Sequence, residues 1–128
     1  MSVASFGLLR DGYMVEKSLL QEQGIECSKE LKVAVSESTK DSEYYNQKII
    51  DLNNSASADN PVYYQQQRDK IDKEYKDKQA ENAAVEEEIN QKKSNIEAEI
   101  TLIDEYIDVL DTAIQKAAKS EFSYGPNQ

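Results

Sequence analysis

Three aspartates in the C-terminal half of the chain have the spacing of one helical face. Asp104, Asp108 and Asp111 are separated by four and then three residues, and the stretch from Ser94 to Gln115 has six acids and no base. Carboxylates are the ligands that Ca²⁺ and Mg²⁺ prefer, but these ions need oxygen atoms that converge from a curved loop. A straight helix spreads such groups along its axis, and no EF-hand spacing occurs. We therefore predict no metal site here and interpret the acids as a solvated face or a docking surface for a basic partner.

The residue types that most enzymes need are missing. The chain has no histidine, which removes the commonest general base, the usual zinc ligand and every imidazole-dependent triad. No glycine-rich phosphate loop occurs. Cys27 is the only cysteine, and without an imidazole beside it a small buried apolar role is expected. We predict a protein that is not an enzyme, with no catalytic residue, no cofactor and no small-molecule substrate.

Charge and hydropathy restrict the partners. The chain has 25 acidic and 15 basic residues, a net charge of −10. Such a surface repels phosphate backbones, so we expect no nucleic acid partner. No apolar run is long enough to span a membrane. The N-terminus lacks the pattern of a cleaved secretory signal, so the cytoplasm is the default location, with export by a route that leaves the signal uncleaved as the alternative.

The distribution of glycine and proline predicts long helices. The 128 residues include only four glycines and two prolines, too few for a fold with many turns. Asn60 is a good N-cap and Pro61 suits the first helical position, and neither glycine nor proline follows until Gly125. The predicted fold is all-α, a long antiparallel, coiled-coil-like helical hairpin, with a short extra N-terminal helix as an option. The predicted parts are one hairpin domain (1–119) with a helix at about 13–53, a tip at 54–60 and a helix at 61–119, then a flexible tail (120–128).

A reversal near Ser57 predicts which residues lie side by side. It places Tyr44 and Tyr45 next to Ile71, and the apolar N-terminal stretch next to the segment from Ile96 to Ile114. Apolar positions then meet along the pair, which favours a hairpin over two separate domains.

The densest apolar stripe lies between Ile96 and Ala117. Its steps of four and three residues form a heptad pattern, and Leu102, Tyr106 and Val109 widen it beyond what one neighbouring helix covers. Two helices alone have little interior, so we predict that residues 1–20 and 96–117 form a surface that binds a second copy or a partner helix. The predicted interaction residues are Phe6, Leu9, Met14, Leu20, Ile96, Ile100, Ile103, Ile107, Leu110 and Ile114.

Tyrosines cluster near the predicted tip. Tyr44, Tyr45, Tyr63 and Tyr64 could pack between the helices with their hydroxyl groups in water. They are also candidate tip contacts, since tyrosine is enriched at protein interfaces.

The segment ADNPVYYQQQ, from Ala58 to Gln67, carries a resemblance. A polar helix, an Asp-Asn-Pro turn and a second helix with an apolar C-terminal half resemble type III secretion needle subunits, which form hollow export filaments. The overlap covers this segment and the general layout. It implies a filament subunit as an alternative to a structural or interaction protein, beside a chaperone or adaptor for a secretion or filament system.

Overall fold

The described residues form two long helices that pack against each other. The computed structural model describes residues 2–55 and 59–123. Helix α1 is Val3–Asn53 and helix α2 is Pro61–Ser123, with 51 and 63 residues. The described part of the chain contains no strand. The predicted all-α helical hairpin is therefore confirmed.

Helix α1 begins at Val3, ten residues before the predicted start at about Tyr13. The Ser2 hydroxyl accepts a hydrogen bond from the Ser5 amide, at 3.2 Å, and caps the first turn. Gly7 and Gly12 lower the helix propensity of this segment, because glycine in a helix costs about 0.5–1 kcal/mol relative to alanine. No described glycine has positive φ, and Tyr13 packs this segment against α2 through the ring of Tyr106.

Helix α2 begins where its sequence predicts and ends later. The Asn60 side-chain oxygen accepts from the Tyr63 amide at 3.2 Å, and the Asn60 carbonyl accepts from the Tyr64 amide at 2.9 Å. The last helical residue is Ser123, so the start of the predicted tail (120–128) is helical, because Gly125 is the first residue that disfavours a helix. Residues 124–128 of that tail, and residues 56–58 of the predicted tip, lie outside the described residues.

The chain divides into two compact units, which we name by what they contain. The terminal unit consists of residues 1–26 and 92–128, and the loop unit of residues 27–91. Each unit contains a segment of α1 and a segment of α2.

The least exposed positions of each helix define a seam, the line of residues that faces the other helix. In α1 the seam advances by alternating steps of four and three residues, the spacing of a heptad repeat. In the terminal unit the α1 seam is Phe6, Arg10, Tyr13, Lys17, Leu20 and Gly24; in the loop unit it is Cys27, Leu31, Ala34, Ser38, Asp41, Tyr45, Lys48 and Leu52.

The seam of α2 departs from the heptad spacing once. It passes through Lys78, Asn82, Glu86 and Ile89, two steps of four followed by one of three. Val85 is 49% exposed, and its neighbour Glu86 takes the seam position instead. Eleven residues thus cover three turns, which locally unwinds the heptad geometry.

The register in the loop unit differs from the predicted one by about one helical turn. The Tyr45 ring lies 5.1 Å from the ring of Tyr75, whereas a reversal at Ser57 predicts Ile71 as its neighbour. The facing positions are centred on Asn60, since Tyr45 and Tyr75 each lie fifteen residues from it in the sequence. The first turn of α2 therefore extends past the end of α1, and Val62 and Tyr63 in that turn are exposed.

Candidate interaction surface

Most of the predicted interaction residues lie in the seam of the hairpin itself. Leu20, Ile96, Ile103 and Ile107 are buried, with Ile103 only 6% exposed. Phe6, Ile100, Leu110 and Ile114 are half-buried. Within the hairpin, these eight residues lie where α1 and α2 face each other; that they also contact a second copy or a partner helix stays a prediction. The remaining two, Leu9 and Met14, are exposed at the flanks of α1.

Two polar positions of the α1 seam are matched by acids of α2. Arg10 donates from Nε to Oδ1 of Asp111 at 2.6 Å, and Lys17 Nζ lies 2.7 Å from Oδ1 of Asp104. Between these two ion pairs, the rings of Tyr13 and Tyr106 lie 5.4 Å apart. Two of the three aspartates expected to guide a basic partner are therefore engaged within the hairpin.

A second apolar stripe runs along the outer side of α1 in the terminal unit. Leu8, Val15 and Leu19 are 74%, 62% and 54% exposed. With Gly12 they follow the helical spacing of four, three and four residues, offset from the seam by about half a turn. They lie on the side of α1 that faces away from α2. We call these residues the α1 outer stripe.

Helix α2 carries a corresponding stripe in the same unit. Leu102, Tyr106 and Val109 are 46%, 44% and 67% exposed, and their spacing of four and three residues again marks one helical face. This α2 outer stripe lies beside the seam, since Tyr106 packs on Tyr13 with part of its ring. The sequence carried a signal for it in the width of the apolar stripe, but spacing alone did not separate outer residues from seam residues.

Exposed acids surround the two outer stripes. Asp11 and Glu16 lie on α1, and Glu99, Glu105 and Asp108 lie on α2. Among the residues that the structure describes, none of these five acids forms an ion pair. The only bases in residues 2–26 are Arg10 and Lys17, which Asp111 and Asp104 engage. The surroundings of the outer stripes are thus strongly negative.

The four candidate tip tyrosines divide into two packed and two exposed residues. Tyr45 packs on Tyr75, and Tyr64 donates its hydroxyl hydrogen to the Asn53 side chain at the end of α1. Tyr44 and Tyr63 are 54% and 46% exposed. Packing therefore accounts for Tyr45 and Tyr64, while Tyr44 and Tyr63 present ring surface to solvent.

Lys48 ties Tyr44 to α2 in the loop unit. Its Nζ lies 4.9 Å from the centre of the Tyr44 ring and 3.7 Å from Oε2 of Glu74. The nearby Tyr44 hydroxyl, and to a smaller extent the charge of Glu74, raise the pKa of Lys48 above its ordinary value. The Lys48 ammonium thus lies between the Tyr44 ring of its own helix and the Glu74 carboxylate of α2.

A cleft of about 230 Å³ with polar and apolar lining residues, among them Ser38, Tyr75 and Asn82, lies in the loop unit. Asn82 donates to Oδ2 of Asp41 at 2.8 Å, and the Ser38 hydroxyl lies 3.0 Å from Oε1 of Glu86. The Ser38 hydroxyl also lies 3.1 Å from the Ala34 carbonyl oxygen of its own helix. These groups satisfy one another across the seam, so the cleft is a place where the two helices meet through polar side chains.

The remaining candidates for chemistry are few in the described residues. Cys27 is 4% exposed and lies in the seam. Residues 2–55 and 59–123 contain no group of three potential ligands placed to hold a metal ion. In the same residues, neither helix has an apolar stretch long enough to cross a bilayer.

Comparison of the chain with protein-family models, curated proteins and solved structures found no match. The architecture therefore defines the class of protein: an all-α helical hairpin with apolar stripes on the outer faces of its terminal unit.

Proposed function

We propose that this chain is a non-enzymatic interaction protein. Its terminal unit is a docking surface for a helix of another polypeptide, either a second copy or a different protein. Docking of this kind orders two chains side by side, as in coiled coils and helix-in-groove complexes. The phosphate groups of nucleic acids are unsuitable partners, because the net charge is −10.

The observation that carries the proposal is the pair of outer stripes. The seam already occupies Ile96, Ile103 and Ile107, so the apolar side chains at Leu8, Val15 and Val109 contribute little to the hairpin. Contiguous exposed apolar residues of this kind mark protein interaction sites more often than isolated ones do. Their spacing along each helix fits another helix laid alongside.

The experiment compares two double variants of matched chemistry. Val15→Ser/Val109→Ser removes apolar surface from both outer stripes. Val33→Ser/Val85→Ser removes the same side-chain types from α1 and α2 in the loop unit, where the two valines are 63% and 49% exposed. Both variants should fold, since surface substitutions usually change stability by about 0.5 kcal/mol or less.

Two measurements read the outcome. Light scattering after size-exclusion chromatography gives the mass at micromolar concentration, and purification of the tagged chain from its native cells gives any stoichiometric second polypeptide. We expect assembly or partner binding that is lost in the Val15/Val109 variant and kept in the Val33/Val85 variant. A chain that remains a monomer and retains no partner, or an association that both variants keep, contradicts the proposal.

A further inference from the structure

The outer stripes define a short contact. Leu8 and Leu19 are eleven residues apart, which corresponds to about 16 Å along a helix axis. The α2 outer stripe from Leu102 to Val109 is shorter, with a separation of seven residues, or about two helical turns. A helix that buries the α1 outer stripe therefore needs about three turns of contact, and one that buries the α2 outer stripe needs about two, with apolar residues repeating every three and four positions.

The charges around this contact select between the two kinds of occupant. Glu16 on α1 and Glu99 and Glu105 on α2 are exposed beside the apolar residues. The two bases of α1 in this unit, Arg10 and Lys17, already pair with Asp111 and Asp104. A second copy docked on the same surface would bring acids against acids, and like charges across an interface disfavour association.

We infer that the occupant is an amphipathic helix of a different protein, with lysine and arginine flanking its apolar stripe. This inference rests on the proposed function and adds the chemistry of the partner. On the α1 outer stripe, basic side chains at the edges of such a helix would meet Glu16 while its apolar face covers Val15. On the α2 outer stripe, they would meet Glu99 and Glu105 while its apolar face covers Val109. Charge complementarity of this kind speeds association and rejects acidic partners.

The test uses the full chain and two synthetic peptides of about five helical turns each. Both peptides carry the same leucine stripe, one with lysine and arginine at the flanking positions and the other with glutamate. Fluorescence anisotropy of the labelled peptides gives Kd. We expect the basic peptide to bind in the micromolar range and the acidic peptide to bind at least about tenfold more weakly. Raising the salt concentration should weaken binding of the basic peptide, since salt screens the attraction between exposed charges.

Variants of the chain locate the binding. Val15→Ser/Val109→Ser should raise the Kd of the basic peptide by about tenfold or more, and Val33→Ser/Val85→Ser should leave this Kd unchanged. Glu16→Gln/Glu99→Gln/Glu105→Gln should weaken binding of the basic peptide and reduce the ratio between the Kd values of the acidic and basic peptides. These glutamates are exposed, so circular dichroism should show unchanged helix content.

The outcomes separate this inference from the proposed function. Equal binding of both peptides, lost in the Val15/Val109 variant, overturns the basic partner but keeps the docking surface. Basic-peptide binding that ignores the Val15/Val109 change overturns the inference as unspecific charge attraction. A dimer at micromolar concentration that the same change dissociates identifies a second copy as the occupant and also overturns it. Failure of both peptides to bind, with a monomeric chain, contradicts the docking surface itself.

Discussion

Arg10 and Asp111 lie 101 residues apart in sequence, and the Arg10 Nε atom donates to Asp111 Oδ1 at 2.6 Å. The pair shows how this hairpin tolerates charged residues in its seam: a polar residue of one helix faces a polar residue of the other. Lys17 with Asp104 repeats the arrangement in the terminal unit. In the loop unit, Asp41 with Asn82 and Lys48 with Glu74 do the same. These pairs help to fix which residues face each other.

The Arg10–Asp111 pair should contribute little free energy of its own. Its side chains are 35% and 43% exposed, and ion pairs at such positions are worth about 1 kcal/mol or less because water screens them. A double-mutant cycle with Arg10→Ala and Asp111→Ala, followed by urea unfolding, should give a coupling energy of that size. The more exposed Lys40–Glu37 pair, at 3.8 Å, should give a coupling near zero. A coupling of about 3 kcal/mol, the range of buried pairs, would contradict this account.

Neighbouring residues of α2 should differ sharply in their effect on stability. Ile103→Ala should lower the free energy of unfolding by about 2–5 kcal/mol, because it opens a cavity in the seam. Leu102→Ala should change it by about 0.5 kcal/mol or less, because Leu102 is 46% exposed. Urea unfolding of the two variants measures the difference. Equal effects would mean that the seam and the outer stripe are assigned to the wrong residues.

Replacing one polar pair of the loop unit should stabilise the hairpin. Asp41→Leu/Asn82→Leu exchanges a half-buried amide–carboxylate contact of 2.8 Å for apolar packing, and leucine favours a helix more than either original residue. We expect the free energy of unfolding to rise by about 1–2 kcal/mol, within the range seen when buried polar pairs become apolar. Thermal unfolding followed by circular dichroism checks it. Asn82→Leu alone should gain less, since it leaves Asp41 without its donor, and a double variant that melts below the wild type refutes the prediction.

The N-cap of α2 should be measurable at a single residue. Asn60→Ala removes the oxygen that accepts from the Tyr63 amide and should cost about 1 kcal/mol. Asn60→Ser, which restores a capping oxygen, should recover most of the loss. Asn54→Ala is the control, because the Asn54 side chain forms no hydrogen bond among the described residues. Urea unfolding that finds Asn60→Ala as stable as the wild type and the Asn54→Ala control would show that the cap contributes nothing.

The architecture was predictable from a few residues. Asn60 and Pro61 give the start of α2, and the absence of glycine and proline up to Gly125 gives its length. The start of α1 was not predictable in the same way. The glycines at 7 and 12 count against a helix locally, and only packing on α2 decides in its favour.

The sequence predicts the location of the proposed docking surface in the terminal unit, but it does not separate the exposed residues from those of the seam. The heptad stripe at Ile96, Ile103 and Ile107 is the strongest apolar signal in the chain, and any helix that lies alongside could use it. Sequence does not tell whether that helix belongs to the same chain. Once α1 occupies the stripe, the outer residues Val15 and Val109 remain, and their weaker pattern becomes visible only as exposure.

The polar contacts in the middle of the loop unit should let the two helices separate locally more easily there than at the buried positions on either side. Two hydrogen bonds cross the seam where α2 has its eleven-residue spacing, Ser38 with Glu86 and Asn82 with Asp41. Apolar packing between the helices is therefore sparse at this point. Amide hydrogens of this stretch should exchange with deuterium sooner than those around the buried Cys27 and Ile89. Local unfolding of this unit should therefore begin in the middle of the seam and spread from there toward both ends of the unit.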